Sequence, residues 1–356
     1  MHRLRRGYVL TALTAVTALA LAGCAGSSDA DEGSAGGELT ALTTFYPLQF
    51  VAEQVGGDLV EVSNLTPAGA EPHDLELSPV DVLALEDADV VVFLSGFQPA
   101  IDDALADTSG PLILDTADSA DLVIHGGDES EAATGDEHDE HDEHDEHEEA
   151  EHDEAEDGHT EDDEAEHDEA EDGHTEDDGH DHGLEGEDPH FWLDPTRVAA
   201  VAAAVADTFS EADPDNADAY TANAQALTAE LTGLDEEYRA ALGTCERDVI
   251  VVSHAAFGYL TDQYGLTQVG ISGLDPESEP APARLTEIGH IVEDAGVTTI
   301  FTETLVSPKV AEVLAEDLGI DVGVLDPIEG LTDPEQDYLS VMRINLDELT
   351  EALGCA

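Results

Sequence analysis

The chain has 356 residues, with 9 Lys and Arg against 86 Asp and Glu, giving a formal charge of −77. That imbalance excludes nucleic acid as a partner, because phosphate binding needs a basic surface, and it suits a chain that attracts cations. The length allows two modest domains with cores of their own.

The N-terminus sets the compartment. Arg3, Arg5 and Arg6 form a positive region ahead of the apolar residues 9–21, a stretch too short to span a membrane and flanked as a signal peptide is. Leu21-Ala22-Gly23-Cys24 resembles a bacterial lipobox, in which Cys24 becomes the lipidated first residue of the mature protein. Residues 1–23 are therefore read as a lipoprotein signal, and 24–37, rich in Gly, Ser, Ala and Asp, as a flexible tether. The expected location is outside the cytoplasm, anchored to the outer face of the cell membrane. An ordinary cleaved signal is the alternative.

Strands are expected over 38–45, 60–65, 90–94 and 112–114. Helices are expected from Pro47 to Val55, stopping at Gly56-Gly57, and over 78–87, with Ser78-Pro79 in the cap and first-turn positions. This alternation predicts a parallel sheet with helices on both faces. From about 128 to 187 the composition changes: EHD units lead into EHDEAEDGHTEDD, which occurs twice. With almost nothing apolar to bury, this tract is expected to be a disordered insertion in a first lobe of residues 38–212.

A helix over 196–211 follows, then a long helical stretch within 213–243, on the order of 40 Å at the usual rise per residue. The pattern then repeats in a second lobe, 244–356. Strands are expected there over 249–253, 267–270, 298–301 and 322–325, and helices over 283–295 and 308–318. The expected fold is α/β, two similar lobes with parallel sheets joined by one rigid helix. With Cys24 assigned to lipid, Cys245 and Cys355 remain as a pair in an oxidising compartment. They are expected to form a disulfide that pins the C-terminal end to the start of the second lobe, two free thiols being the alternative.

Ten histidines lie in the acidic tract: His138, His141, His144, His147, His152, His159, His167, His174, His180 and His182. Beyond the signal, five others remain: His73, His125, His190, His254 and His290. His73, His190 and His254 sit past likely strand ends or in connections, where open α/β sheets bind ligands. Asp326 ends the last strand, before Pro327. Three imidazoles and one carboxylate make a tetrahedral N3O set suited to zinc. His125, bordering the tract, and His290, on a helix, are read as structural, and Lys309 as carrying no chemistry.

The segments GAEPHDLELSP, DPHFWLDP, VSHAAFGYL, DPESEPAPAR, FTETLVSP and VLDPIEG stand in this order along nearly all of the chain from Glu38 onward. Through them the sequence resembles the zinc/manganese family of ABC-transporter solute-binding lipoproteins, in its zinc-uptake (ZnuA-like) branch. The resemblance implies two lobes joined by a long helix, with metal in the cleft between them. It carries ligand roles to His73 and His190 from the first lobe and to His254 and Asp326 from the second. Glu71 and Glu303 become hydrogen-bonding supports or alternate ligands. Manganese-selective relatives have glutamate where His254 stands, so the imidazole here implies Zn(II).

The acidic tract sits where zinc-uptake members carry theirs, and is read as a weak collector of metal. The implied function is a monomeric receptor, not an enzyme, that hands zinc to an ABC permease with its ATPase. A manganese receptor, or a surface zinc buffer or adhesin without transport, is the alternative. A zinc hydrolase would keep an open coordination position, and neither HExxH nor a nucleophile elbow occurs in the sequence.

Overall fold

In the computed structural model residues 39–125 and 187–356 are described. Cys24, the expected signal and tether, and the acidic tract expected to be disordered, with its ten histidines, lie outside the described residues.

The strand β1 (Leu39–Thr43) is almost wholly buried and β3 (Val90–Phe93) is fully buried and apolar on both faces, as strands of a parallel sheet are when helices cover both sides. β1 pairs in parallel with β2 (Val60–Asn64), Leu39 opposite Val60. It pairs on its other edge with β3, and β3 with β4 (Leu112–Asp115). The second sheet repeats this plan with β5 (Val249–Val252), β6 (Thr267–Gly270), β7 (Thr299–Thr302) and β8 (Asp321–Val324). The strand orders are β2-β1-β3-β4 and β6-β5-β7-β8. In each sheet the chain reverses direction of growth beside the first strand, which places the ligand crevice at the carboxyl ends of the strands there.

Ten α-helices surround the sheets among the described residues: α1 (Tyr46–Gly56), α2 (Pro79–Asp87), α3 (Pro99–Ala106), α4 (Ala117–Ala120), α5 (Pro195–Ala212), α6 (Ala217–Leu242), α7 (Gly258–Tyr264), α8 (Pro282–Ala295), α9 (Lys309–Leu318) and α10 (Tyr338–Leu353). Ser78 caps α2 as expected, and within a full capping box: the Ser78 hydroxyl accepts from the N–H of Asp81, and the Asp81 carboxylate from the N–H of Ser78. The long helix expected within 213–243 begins at Ala217, because Pro214–Asn216 form a 3-10 turn before α6. Sequence reading assigned no element to α3, α4, α7 or α10.

The 26 residues of α6 run about 39 Å. They bury Tyr220, Ala224, Leu227, Leu231, Leu234, Tyr238 and Leu242, a stripe spaced by three or four residues. That stripe packs on α5 and α1 beside the first sheet and on α10 beside the second. One continuous core thus includes Phe45 and Val90 from one lobe, Ile250 and Phe301 from the other, and Tyr238 and Tyr338 between them. Buried bonds stitch the same region. The Tyr338 hydroxyl donates to the Trp192 carbonyl at 2.6 Å, and the Tyr238 hydroxyl to that of Met342 at 2.6 Å. Cys245, ahead of β5, is bonded to Cys355 near the end of the chain. No helix among the described residues is long and apolar enough to cross a membrane.

Candidate metal centre

His73, His190, His254 and Glu329 each present one donor atom, and the four atoms lie within 4.8 Å of one another. Each arrives from a connection at the carboxyl side of a sheet. His73 lies between β2 and α2, and His254 follows β5 by two residues. His190 comes just before a 3-10 turn, Phe191–Leu193, that leads into α5. Glu329 lies in the connection after β8. Trp192 of that 3-10 turn donates its indole N–H to the carbonyl of Pro327 at 2.7 Å, so the connections carrying His190 and Glu329 are fastened together.

The Glu329 Oε1 atom is 3.1 Å from Nε2 of His190, 3.2 Å from that of His254 and 3.4 Å from that of His73. The Nε2 atoms of His190 and His254 are 3.4 Å apart. A tetrahedral zinc with ordinary bond lengths separates its donors by about 3.3 Å. These four separations match the edge lengths of a zinc coordination shell, and the cluster fits Zn(II). Two of its atoms, Nε2 of His73 and Oε2 of Glu329, are buried with no hydrogen-bond partner, a cost that a bound cation removes. The second nitrogen of two imidazoles is occupied, which fixes their tautomer. Nδ1 of His190 meets Asp188 at 2.7 Å, and Nδ1 of His254 meets Glu303 at 2.9 Å. Both arrangements leave Nε2 free to bind metal.

Electrostatics bind protons where a cation belongs. Burial opposes a charge on His254, but the bonds from Glu303 and Glu329 outweigh it and push the pKa up to about 10. Burial alone would raise the Glu329 pKa, yet the hydrogen bonds it accepts from His190 and His254 hold it well below the ordinary carboxylate value. His190 is raised in the same way, burial being outweighed by Asp188 and Glu329. The pocket is thus an anionic carboxylate within a ring of imidazoles that share protons with it.

Asp326, expected as the fourth ligand, lies outside this cluster. Its Oδ1 accepts the backbone N–H of Ile328 at 2.8 Å and its Oδ2 the Thr304 hydroxyl at 3.0 Å. The side chain of Asn345 bonds both its N–H and its carbonyl. Burial raises the Asp326 pKa. Asp326 thus shapes a turn, and the turn delivers Glu329 three residues later. The missed signal is in Pro327-Ile328-Glu329-Gly330, where an acid stands between an apolar residue and a glycine. Glu303 supports His254, while Glu71 accepts the backbone N–H groups of His73 and Asp74 at 3.2 and 3.3 Å. Asp188, the partner of His190, had no place in the sequence reading. His290 is exposed on α8.

The sequence matches the family described as zinc-uptake complex component A, periplasmic, over residues 42–352. It is 33% identical over 320 residues to the zinc-binding protein AdcA of Streptococcus pyogenes, covering 88% of this chain and 56% of that protein. The chain thus spans just over half the length of that streptococcal relative. It is 32% identical over 328 residues to the high-affinity zinc uptake system protein ZnuA of Bacillus subtilis, covering 90% of this chain and 89% of that one. Among solved structures, the laminin-binding protein Lmb of Streptococcus agalactiae, titled a bifunctional protein with adhesin and metal transporting activity, superposes with a TM-score of 0.67 at 29% identity, covering 88% of this chain and 99% of Lmb. With this match along its length, the chain belongs to the family of zinc-uptake complex component A.

Proposed function

We propose that this chain is the extracytoplasmic receptor of a zinc ABC importer, binding Zn(II) through Nε2 of His73, His190 and His254 and a carboxylate oxygen of Glu329. The observation that carries the reading is the separation of Glu329 from the three histidines and of His190 from His254, 3.1 to 3.4 Å, which suits a tetrahedral zinc. Four protein donors close the shell, so no position is left for an activated water, and the site favours holding a metal over hydrolytic chemistry. Zinc is the cargo, passed to a membrane permease with its ATPase, and Cys24 is the lipid anchor that keeps the receptor at the membrane. Histidines 138 to 182 of the acidic tract collect zinc weakly, and deletion of residues 128–187 leaves one tight site per molecule.

X-ray absorption of the protein loaded with one equivalent of zinc tests the site. Four light-atom ligands with the scattering pattern of three imidazoles support it, whereas six oxygen ligands contradict it. Zinc-limited growth that fails without the gene and returns with it separates a transport receptor from a surface buffer or adhesin.

A further inference from the structure

His125 follows α4 in the first lobe and uses both ring nitrogens. Nδ1 meets Oδ2 of Asp188 at 2.8 Å, and Nε2 meets Oδ2 of Asp262, on α7 of the second lobe, at 3.1 Å. A neutral imidazole has one N–H, so two carboxylate partners call for the imidazolium, which donates to both. Burial opposes that charge, and the bonds to Asp188 and Asp262 outweigh it.

The other oxygen of Asp188 is committed to His190, accepting its backbone N–H at 2.9 Å and its ring Nδ1 at 2.7 Å. The Asp188 carboxylate therefore lies between two imidazoles, His125 on Oδ2 and His190 on Oδ1. Tyr259 braces the same unit. Its hydroxyl accepts from the N–H of Val123 at 2.9 Å and donates to the Asp188 carbonyl at 2.7 Å. The His125 ring stands edge-on to the Tyr259 ring with centroids 4.5 Å apart. Next to Tyr259, a Cβ on Gly258 would lie 2.5 Å from Cγ of His125 and 2.7 Å from Oδ2 of Asp188. Only glycine admits the imidazole and the carboxylate this close.

We propose that His125 is a positioning residue for zinc, locking the Asp188 carboxylate and through it the Nδ1–H tautomer and ring direction of His190, while tying this unit to Asp262 of the opposite lobe. The proposal rests on His190 being a zinc ligand. Without His125, Asp188 Oδ2 is left buried and unpaired, and the carboxylate is free to rotate away from His190. Outer hydrogen-bond partners of metal-bound histidines are typically worth about 10–100-fold in affinity.

The test uses mature full-length protein, with zinc affinity read by competition against a chelator strong enough to strip the acidic tract, and cobalt(II) as a spectroscopic stand-in. His125→Ala is expected to weaken zinc about tenfold and to shift the visible absorption of the cobalt form. His125→Gln, which keeps one N–H for Asp188, is expected to restore most of both. The double variant Cys245→Ser/Cys355→Ser, destabilised far from the site, is expected to keep the wild-type affinity and cobalt spectrum. If His125→Ala does not fold, Asp262→Ala is read in its place, with a smaller loss expected. Unchanged affinity and spectrum in the variants would overturn the role of His125. Wild-type protein with no tight cobalt or zinc site would overturn the site reading itself, and this proposal with it.

Discussion

Asp326 accepts the backbone N–H of Ile328 at 2.8 Å, and Ile328 sits at φ 61. A buried β-branched residue in the left-handed region is strained, at a cost of order 1–3 kcal/mol. It persists here because Asp326 holds the Ile328 N–H while Asn345 and Trp192 fix the two residues before it. The outcome of that strain is the direction of Glu329, which turns back into the histidine cluster with a side chain that is fully buried.

Asp326→Ala should therefore weaken zinc without removing a ligand. A loss of about 10–100-fold is expected, the range for groups that orient a ligand, with the stoichiometry still one tight zinc per molecule. Competition against a chromophoric chelator measures it, and unchanged affinity would mean that the turn holds without its aspartate.

Acidity should compete with zinc, since the imidazoles must be neutral to bind. His254 is held protonated up to about 10, so affinity is expected to climb about tenfold per pH unit from neutrality toward that value, with at least one proton released per zinc. Metal-free stability should run the other way. A histidine whose folded pKa is raised contributes stability that is complete below its ordinary 6.5 and is lost as pH rises through about 10. Calorimetry in buffers of different protonation enthalpy counts the protons. A count of zero at neutral pH would show that His254 is already neutral there.

The Cys245–Cys355 bond closes a loop of 110 residues. Replacing both by Ser should cost about 2–5 kcal/mol of stability, read as a fall in denaturation midpoint. Zinc affinity should hold, because the bond lies at the amino end of β5 and His254 past its carboxyl end, about 13 Å of strand away. A parallel loss of affinity would show that the second sheet transmits the change.

The shared core predicts small motion on binding. Closing or opening the lobes as rigid bodies would tear Phe50 from Tyr338, whose ring centroids are 5.2 Å apart, and break the Tyr338–Trp192 bond. Zinc-free and zinc-loaded protein should give superposable small-angle scattering, with hydrogen-exchange differences confined to residues 66–76, 187–193, 253–257 and 326–330. A clear contraction on zinc binding would mean a hinge is present after all.

The three imidazoles were legible because histidine outside the acidic tract is scarce and these three stand in connections where a doubly wound sheet gathers ligands. The strands and the long helix were legible from apolar runs and helical spacing. Glu329 was not, because it is one of 86 acids and its approach depends on the left-handed turn at Ile328, which no local preference of isoleucine favours. Asp326 is the last residue before Pro327, and proximity to the strand end drew the assignment to it. The partner role of Asp188 rests on the ring direction of His190, and that of His125 on a contact with α7, which lies 137 residues away at Asp262. Asp188 stands only two residues from His190, but that ring direction is set by the fold, and the partners of His125 lie 63 and 137 residues away.

The most direct measurement is a zinc titration of the stripped mature protein under chelator competition, with Glu329→Ala and Asp326→Ala side by side. Glu329→Ala should lose far more affinity than Asp326→Ala, because it removes a donor where the other only loosens a turn. Glu329→Ala that still binds one zinc as tightly as wild type, beside an Asp326→Ala that binds none, would contradict the assignment and make Asp326 the fourth ligand.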